Sequence, residues 1–171
     1  PNVFLSQWAA EPTVYKPLGL KKDIDVSFVG MCYGNRPMVK AHLDANGIKS
    51  VFAGYGWPGG AVSFQDMLEI IDRSKVCLNF SDASQPAISQ IKGRHFELAA
   101  MGACQLTDRL PALDSYFSSD ELVQWNDMDD LVVKIRELLA GNPSTYGQKA
   151  RQRVLAEHTW AQRFDAIFRA L

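Results

Sequence analysis

The sequence predicts an α/β fold, a Rossmann-like parallel sheet of about five strands with helices on both faces. Short apolar runs such as Val76-Cys-Leu-Asn-Phe80 alternate with stretches of helical periodicity along residues 25–171. Glycine or proline stands at most of the joints between them. At roughly 150 residues per domain, 171 residues make one domain with a short appendage. Strands joined in this way by helices lie parallel, with right-handed crossovers.

The appendage is residues 1–24, where Pro1, Pro12 and Pro17 alternate with Phe4, Trp8 and Tyr15. Prolines this close together exclude a long helix and predict an extended segment packed by its aromatics. Val26-Ser-Phe-Val29 is the first strand and ends at Gly30. Residues 36–46 follow as a helix, with Pro37 in the first turn and Gly47 just past the end. Ser50–Ala53 is the second strand, and a glycine-rich loop runs from Gly54 to Gly60. Ser63 with Asp66 starts a helix whose apolar face is Met67, Leu68, Ile70 and Ile71. Val76–Phe80 is the third strand, followed by a polar loop over 81–91 containing Pro86. A helix over 92–101 stops at Gly102, and Ala103–Leu106 is the fourth strand. A short helix is expected near 111–117, and Glu121–Trp125 completes the sheet. Asn126 is expected to cap a helix with its apolar stripe at 131, 132, 135, 138 and 139. Asn142-Pro143 opens another helix, and Thr159 with Gln162 marks the start of the last.

Composition excludes several classes. Eighteen Lys+Arg against 19 Asp+Glu leave a net charge of -1, with no global positive field for nucleic acid or an anionic membrane. The apolar runs fall far short of the roughly 20 residues that span a bilayer, so no membrane span is expected. Cys32, Cys77 and Cys104 contain no CxxC pair, which argues against a disulfide framework or a zinc site. A cytoplasmic protein without a metal is the expectation. The chain opens on Pro1 rather than Met, with no charged-then-apolar leader, so a fragment of a longer protein is expected.

In such sheets ligands bind beyond the carboxyl ends of the strands, which directs attention to the loops after residues 29, 53, 80, 106 and 125. Gly54-Tyr-Gly-Trp-Pro-Gly59 fits the GxGxxG dinucleotide pattern, but its context fails. The glycines precede Ser63 instead of opening a helix, and Asp72 stands at a helix end rather than a strand end. Tyr55 and Trp57 on this loop are candidates for stacking a base, against the alternative that they fill a hydrophobic gap. Gly30 to Arg36 leads from the first strand into a helix, where backbone amides and the helix start favour an anion. Gly30 and Arg36 are therefore candidates for phosphate contact, the alternative being an ordinary turn with a solvated arginine.

Lys92-Gly-Arg94-His-Phe-Glu97 gathers four ionisable residues within six positions where the loop after the third strand enters a helix. Cations at a helix start are electrostatically unfavourable unless an anionic ligand answers both them and the helix. Lys92 and Arg94 are thus candidates for a diphosphate, and Glu97 for the two hydroxyls of a ribose. The alternative is an Arg94–Glu97 i,i+3 pair on a solvated face. His95 is read as structural.

Arg94-His-Phe-Glu97-Leu-Ala-Ala-Met-Gly102-Ala-Cys-Gln-Leu-Thr107 resembles the R-x-F-E-x-x-A-x-G-x-x-x-L-T signature of group 1 glycosyltransferases, in the spore-maturation-protein branch. Asp25–Gly30 with Asn35-Arg36, Glu121 to Asp130, and His158-Thr159 to Arg163 resemble further parts of that family. Pro12, Tyr15 and Pro17 resemble its inter-domain segment. The resemblance implies the carboxy-terminal, nucleotide-sugar-binding half of a two-domain GT-B enzyme, with a UDP-sugar as donor. It implies a ribose on Glu97 and a diphosphate held by Arg36, Lys92 and Arg94. Many relatives carry a sugar-contacting glutamate eight positions before the ribose one. Here that position is Ser89, the candidate sugar contact without a carboxylate. The acceptor, the amino-terminal acceptor domain and any catalytic base lie outside this chain in that reading. No cofactor beyond the donor is expected, because Arg36, Lys92, Arg94 and the helix starts would neutralise its diphosphate. The competing reading is a non-catalytic nucleotide-binding or interaction module on the same fold.

Overall fold

The computed structural model describes residues 5–82 and 88–170. Pro1, Phe4 and Pro86 lie outside them. Five parallel strands form one sheet: β1 (Ile24–Val29), β2 (Ser50–Ala53), β3 (Ser74–Asn79), β4 (Gln105–Asp108) and β5 (Val123–Trp125). Six α-helices accompany them: α1 (Arg36–Ala45), α2 (Phe64–Arg73), α3 (Gly93–Ala100), α4 (Met128–Ala140), α5 (Pro143–Glu157) and α6 (Trp160–Ala170). A 3-10 turn spans Pro111–Ser115. The strand order is β2-β1-β3-β4-β5, so the winding reverses between β1 and β3 and opens a crevice at their carboxyl ends.

Period-two alternation decides which face each strand residue joins. Val26 pairs with Val76, and Leu78 with Leu106, so these side chains share a face with Phe28 and Phe80. They pack on Val39 and Leu43 of α1 and on Leu131 and Ile135 of α4. Cys77 and Ala103 face the other way, toward Met67, Leu68 and Ile71 of α2 and Leu98 of α3. Each such buried aliphatic side chain stabilises the fold by about 1.5–3 kcal/mol. A third cluster joins α3 to α5 through Phe96, Ala100, Ala150 and Val154. That contact requires glycine at 147, because a Cβ there would sit 2.0 Å from the carbonyl oxygen of Gly102.

The fold is the predicted one, with shifts at element ends that have local causes. β4 begins at Gln105 rather than Ala103, because the Ala103 amide closes α3 on Leu98 O at 3.0 Å. β5 begins at Val123 because the amides of Glu121 and Leu122 both turn back to Ser118 O. Asp127, not Asn126, caps α4 by accepting from the Asp130 amide at 2.9 Å. The segment ahead of β1 is packed by aromatics, Trp8 on Trp160 and Tyr15 on Phe64, but it is not extended throughout: a turn over 12–14 closes with the Val14 and Tyr15 amides on Glu11 O at 3.1 and 2.8 Å. It is pinned by Asp72, whose two oxygens accept from the amides of Leu18 and Leu20 at 3.0 and 2.8 Å. No described helix is long and apolar enough to cross a membrane.

Candidate functional site

At the crevice between β1 and β3, Arg36 opens α1 and is only 4% exposed. Its guanidinium lies 3.8 Å from the ring centroid of Tyr33 and just over 5 Å from those of Phe28 and Phe80. It donates to Met31 O, the Tyr33 hydroxyl and Asp82 Oδ1, each at 2.8 Å. A buried guanidinium is costly unless a carboxylate and further acceptors meet it, and Asp82 supplies the carboxylate. The Tyr33 hydroxyl donates on to Asp82 O at 3.1 Å. Lys92 Nζ donates to that same oxygen and stands 3.7 Å from Asp82 Oδ1. Among the described residues Arg36 Nε has no partner. The Asp82 and Lys92 side chains keep 29% and 21% of their surface at the crevice.

The start of α3 is fixed from below. The Lys92 amide donates to His95 Nδ1 at 3.0 Å, which leaves the neutral ring's proton on Nε2. Burial pushes the His95 pKa down to about 4, so the ring is neutral at pH 7. Gln105 donates to His95 O at 3.2 Å and accepts from Asn79 at 3.0 Å, tying the turn to β3 and β4. The next amides, of Gly93 and Arg94, have no intrahelical acceptor by the geometry of any helix start. They add positive partial charge beside Lys92.

Arg94 Nε lies 3.4 Å from Glu97 Oε2, and its Nη1 meets Met67 Sδ of α2 at 3.0 Å. Glu97 Oε1 stands beside Gly93, 3.5 Å from where a Cβ would be. The Tyr15 hydroxyl shares this pocket. Burial first, then the charge and hydrogen bond of Glu97, hold it above its usual range. Two clusters thus flank the start of α3: Arg36, Tyr33, Asp82 and Lys92 on one side, and Arg94, Glu97 and Tyr15 on the other.

The predicted residues separate on this geometry. Gly30 does not offer its amide to a phosphate, since that group donates to Ala53 O at 2.9 Å. Arg36 is neither solvated nor open to the crevice, being held behind Asp82. Trp57 fills the hydrophobic gap: it is 8% exposed, packs edge-on to Phe52 at 4.9 Å, and its indole donates to Gly30 O. It presents no face to a base. Tyr55, in contrast, is 72% exposed. Ser89 is exposed and forms an antiparallel bridge with Asp82, which brings it to the crevice rim. Sequence reasoning does not single out Asp82 or Tyr33, and it marks Tyr15 only as an aromatic of the entry segment, not as a site residue. The one legible signal for Asp82 is its place just past β3. Its pairing with Arg36, 46 residues away, belongs to the tertiary fold. A hollow of about 400 Å³ beside Arg109, Gln124, Lys134 and Tyr146 lies at the β5 edge and contains none of these groups. Among the described residues no three His, Cys, Asp or Glu side chains gather as a metal cluster.

Residues 35–169 match a family described as glycosyl transferase-like. No curated protein sequence matches the chain. Solved structures do. Sucrose-phosphate synthase from Thermosynechococcus elongatus is similar at a TM-score of 0.67 and 15% identity, over 96% of this chain and 52% of its own. A glycosyltransferase involved in avilamycin A biosynthesis is similar at 0.63 and 20% identity, over 85% of this chain and 51% of its own. T4 phage BGT in complex with its UDP-glucose substrate is similar at 0.58 and 16% identity, over 91% of this chain and 51% of its own. The chain therefore spans about half the length of each, and at these identities the likeness is one of fold. The fold is the Rossmann-like α/β fold of GT-B glycosyltransferases. With more than three quarters of its residues inside the matched region, the chain belongs to the glycosyl transferase-like family.

Proposed function

We propose that this chain is the carboxy-terminal, donor-binding half of a GT-B glycosyltransferase of the spore-maturation branch, and that it binds a UDP-sugar across the start of α3. One observation carries the reading. In a member of the glycosyl transferase-like family, Lys92 and Arg94 flank the first amides of α3, the helix that follows β3 beside the switch point of the sheet. The UDP-glucose bound by T4 phage BGT supports uridine as the base.

In this reading Lys92 and Arg94 take the diphosphate, and Arg36 lends its charge from beneath. Glu97 exchanges Arg94 and the Tyr15 hydroxyl for the ribose hydroxyls. Tyr55 is the stacking candidate for the base, and Ser89 stands at the sugar end. As the bond from sugar to diphosphate breaks, negative charge grows on the leaving phosphate. Cations and amides already in place stabilise it without reorganising, so no metal ion is required. Acceptor binding and proton removal belong to an amino-terminal domain outside this chain.

Thermal denaturation with UDP, GDP, ADP or NAD, each in the presence of a chelator, tests the reading. UDP at 100 times its dissociation constant adds about 2.7 kcal/mol and raises the melting temperature. A shift with NAD alone, or one that needs added magnesium or manganese, would overturn it.

A further inference from the structure

We infer that Trp8 is a platform for the nucleoside, an aromatic ring that stacks the base of the nucleotide whose ribose Glu97 holds; this rests on the ribose position proposed above. The two side chains meet at Gly93, the first residue of α3. A Cβ built on Gly93 would stand 3.5 Å from Glu97 Oε1 and 3.6 and 3.9 Å from Cε3 and Cδ2 of the Trp8 indole. A carboxylate and an aromatic ring thus border one point, and glycine leaves that point bare. In a nucleoside the base is one bond from the ribose. An indole at the same glycine as the carboxylate assigned to the ribose is therefore within reach of the base.

Exposure and support point the same way. Trp8 is 52% exposed, so a large aromatic surface stands in water that a stacked base would cover. The ring is held in place all the same. It meets Trp160 nearly at right angles, with centroids 6.1 Å apart. Two residues on, Ala10 is fastened to the start of α6, its amide donating to His158 O and its carbonyl accepting from the Trp160 amide, both at 3.0 Å. A ring positioned before its ligand arrives has little freedom left to lose on binding. The entry segment then has a second task beside packing: Trp8 and Tyr15, seven positions apart, both reach the surroundings of Glu97. Every base has a π face, so this platform strengthens nucleoside binding without choosing the base.

Titration of the whole chain with UDP, uridine and inorganic pyrophosphate tests this, with melting temperatures as the folding control. Trp57 and Trp125 are buried and Trp160 is half-buried, so the long-wavelength emission of the protein reports Trp8. UDP and uridine should quench that emission, and pyrophosphate should not. Trp8→Ala should weaken UDP and uridine by the same factor, about tenfold, the scale of one base–aromatic stack. Pyrophosphate, with no base to stack, should stay within about twofold. Trp8→Phe should recover most of the affinity. Gly93→Ala reaches the same point without altering the indole. Its methyl meets only ordinary contacts and the backbone there is not left-handed, so the variant should fold. It should weaken uridine by about tenfold, the effect of one extra methyl in a filled site. Absence of quenching, unchanged uridine affinity in Trp8→Ala or Gly93→Ala, or a loss that pyrophosphate shares in Trp8→Ala overturns the platform and leaves Trp8 as packing. If no probe binds wild type, the nucleotide site fails and the platform with it. If UDP binds and Glu97→Gln weakens it while Trp8→Ala does not, the platform alone fails.

Discussion

Two glycine-containing loops lie at the carboxyl edge of this sheet, and they are built on opposite principles. The loop after β2 has the better motif, and its polar groups are satisfied from within. Gly60 N donates to Trp57 O at 2.8 Å, and Trp57 N donates to Gly54 O at 3.2 Å. The Trp57 indole closes on Gly30 O at 3.0 Å. The turn entering α3 contains a single glycine, yet it gathers Lys92, Arg94 and Glu97 with part of each side chain exposed. A glycine pattern reports where the backbone bends. Partly exposed charge at a helix start reports where a ligand is wanted.

The largest expected effect would break the comparison from the β2 side. Trp57→Ala removes a core indole and leaves Gly30 O without its donor, so it should cost about 3–5 kcal/mol in urea denaturation. Nucleotide affinity at a temperature where the variant is still folded should not change. A selective loss of affinity would return Trp57 to the binding site.

Acid should act on the other loop. The His95 pKa is held at about 4 by burial, against 6.5 in the unfolded chain. Below pH 6.5 the unfolded chain takes up a proton that the folded ring refuses until about pH 4. This contribution to stability is whole above pH 6.5 and is lost as pH falls to about 4, a total of about 3 kcal/mol. Denaturation midpoints across that range should show the loss, and His95→Gln should flatten it. An unchanged acid limb would place the proton elsewhere.

At the site itself, Glu97→Gln replaces one acceptor oxygen with a donor and should weaken UDP and uridine alike by about 1.5–3 kcal/mol. Arg94→Ala should penalise UDP by a similar amount and spare uridine. If both variants are well folded with unchanged affinities, the i,i+3 pair is only an exposed contact worth a few tenths of a kcal/mol. The smallest effect belongs to Tyr55→Ala. Its stability should shift by less than about 0.5 kcal/mol. UDP affinity should fall by about 1 kcal/mol if the ring stacks the base, and an unchanged affinity would move the base elsewhere.

Much of the architecture was legible because its causes are local. The Ser63–Asp66 capping box, Pro37 and Pro143 in first turns and the one-sided stripe of α4 each act within a few residues. The joint of β4 shifted by two residues because one amide, that of Ala103, had a choice of acceptors. Lys92, Arg94 and Glu97 were visible for the same reason, as neighbours on one helix start. What Arg36 and Trp57 do was decided only in three dimensions. A guanidinium at the start of α1 reads alike whether it faces water or a carboxylate. Asp82, just past a strand two places on in the chain but adjacent in the sheet, turned it inward. An indole in a loop reads alike as a platform or a plug. It became a plug because β1 and β2 pair and brought Phe28, Phe52 and Gly30 O around it. Local sequence determines how each segment folds and where its charges stand along it. The sheet order determines which distant groups they meet, because in a parallel sheet neighbours in space are separated in sequence by a whole crossover.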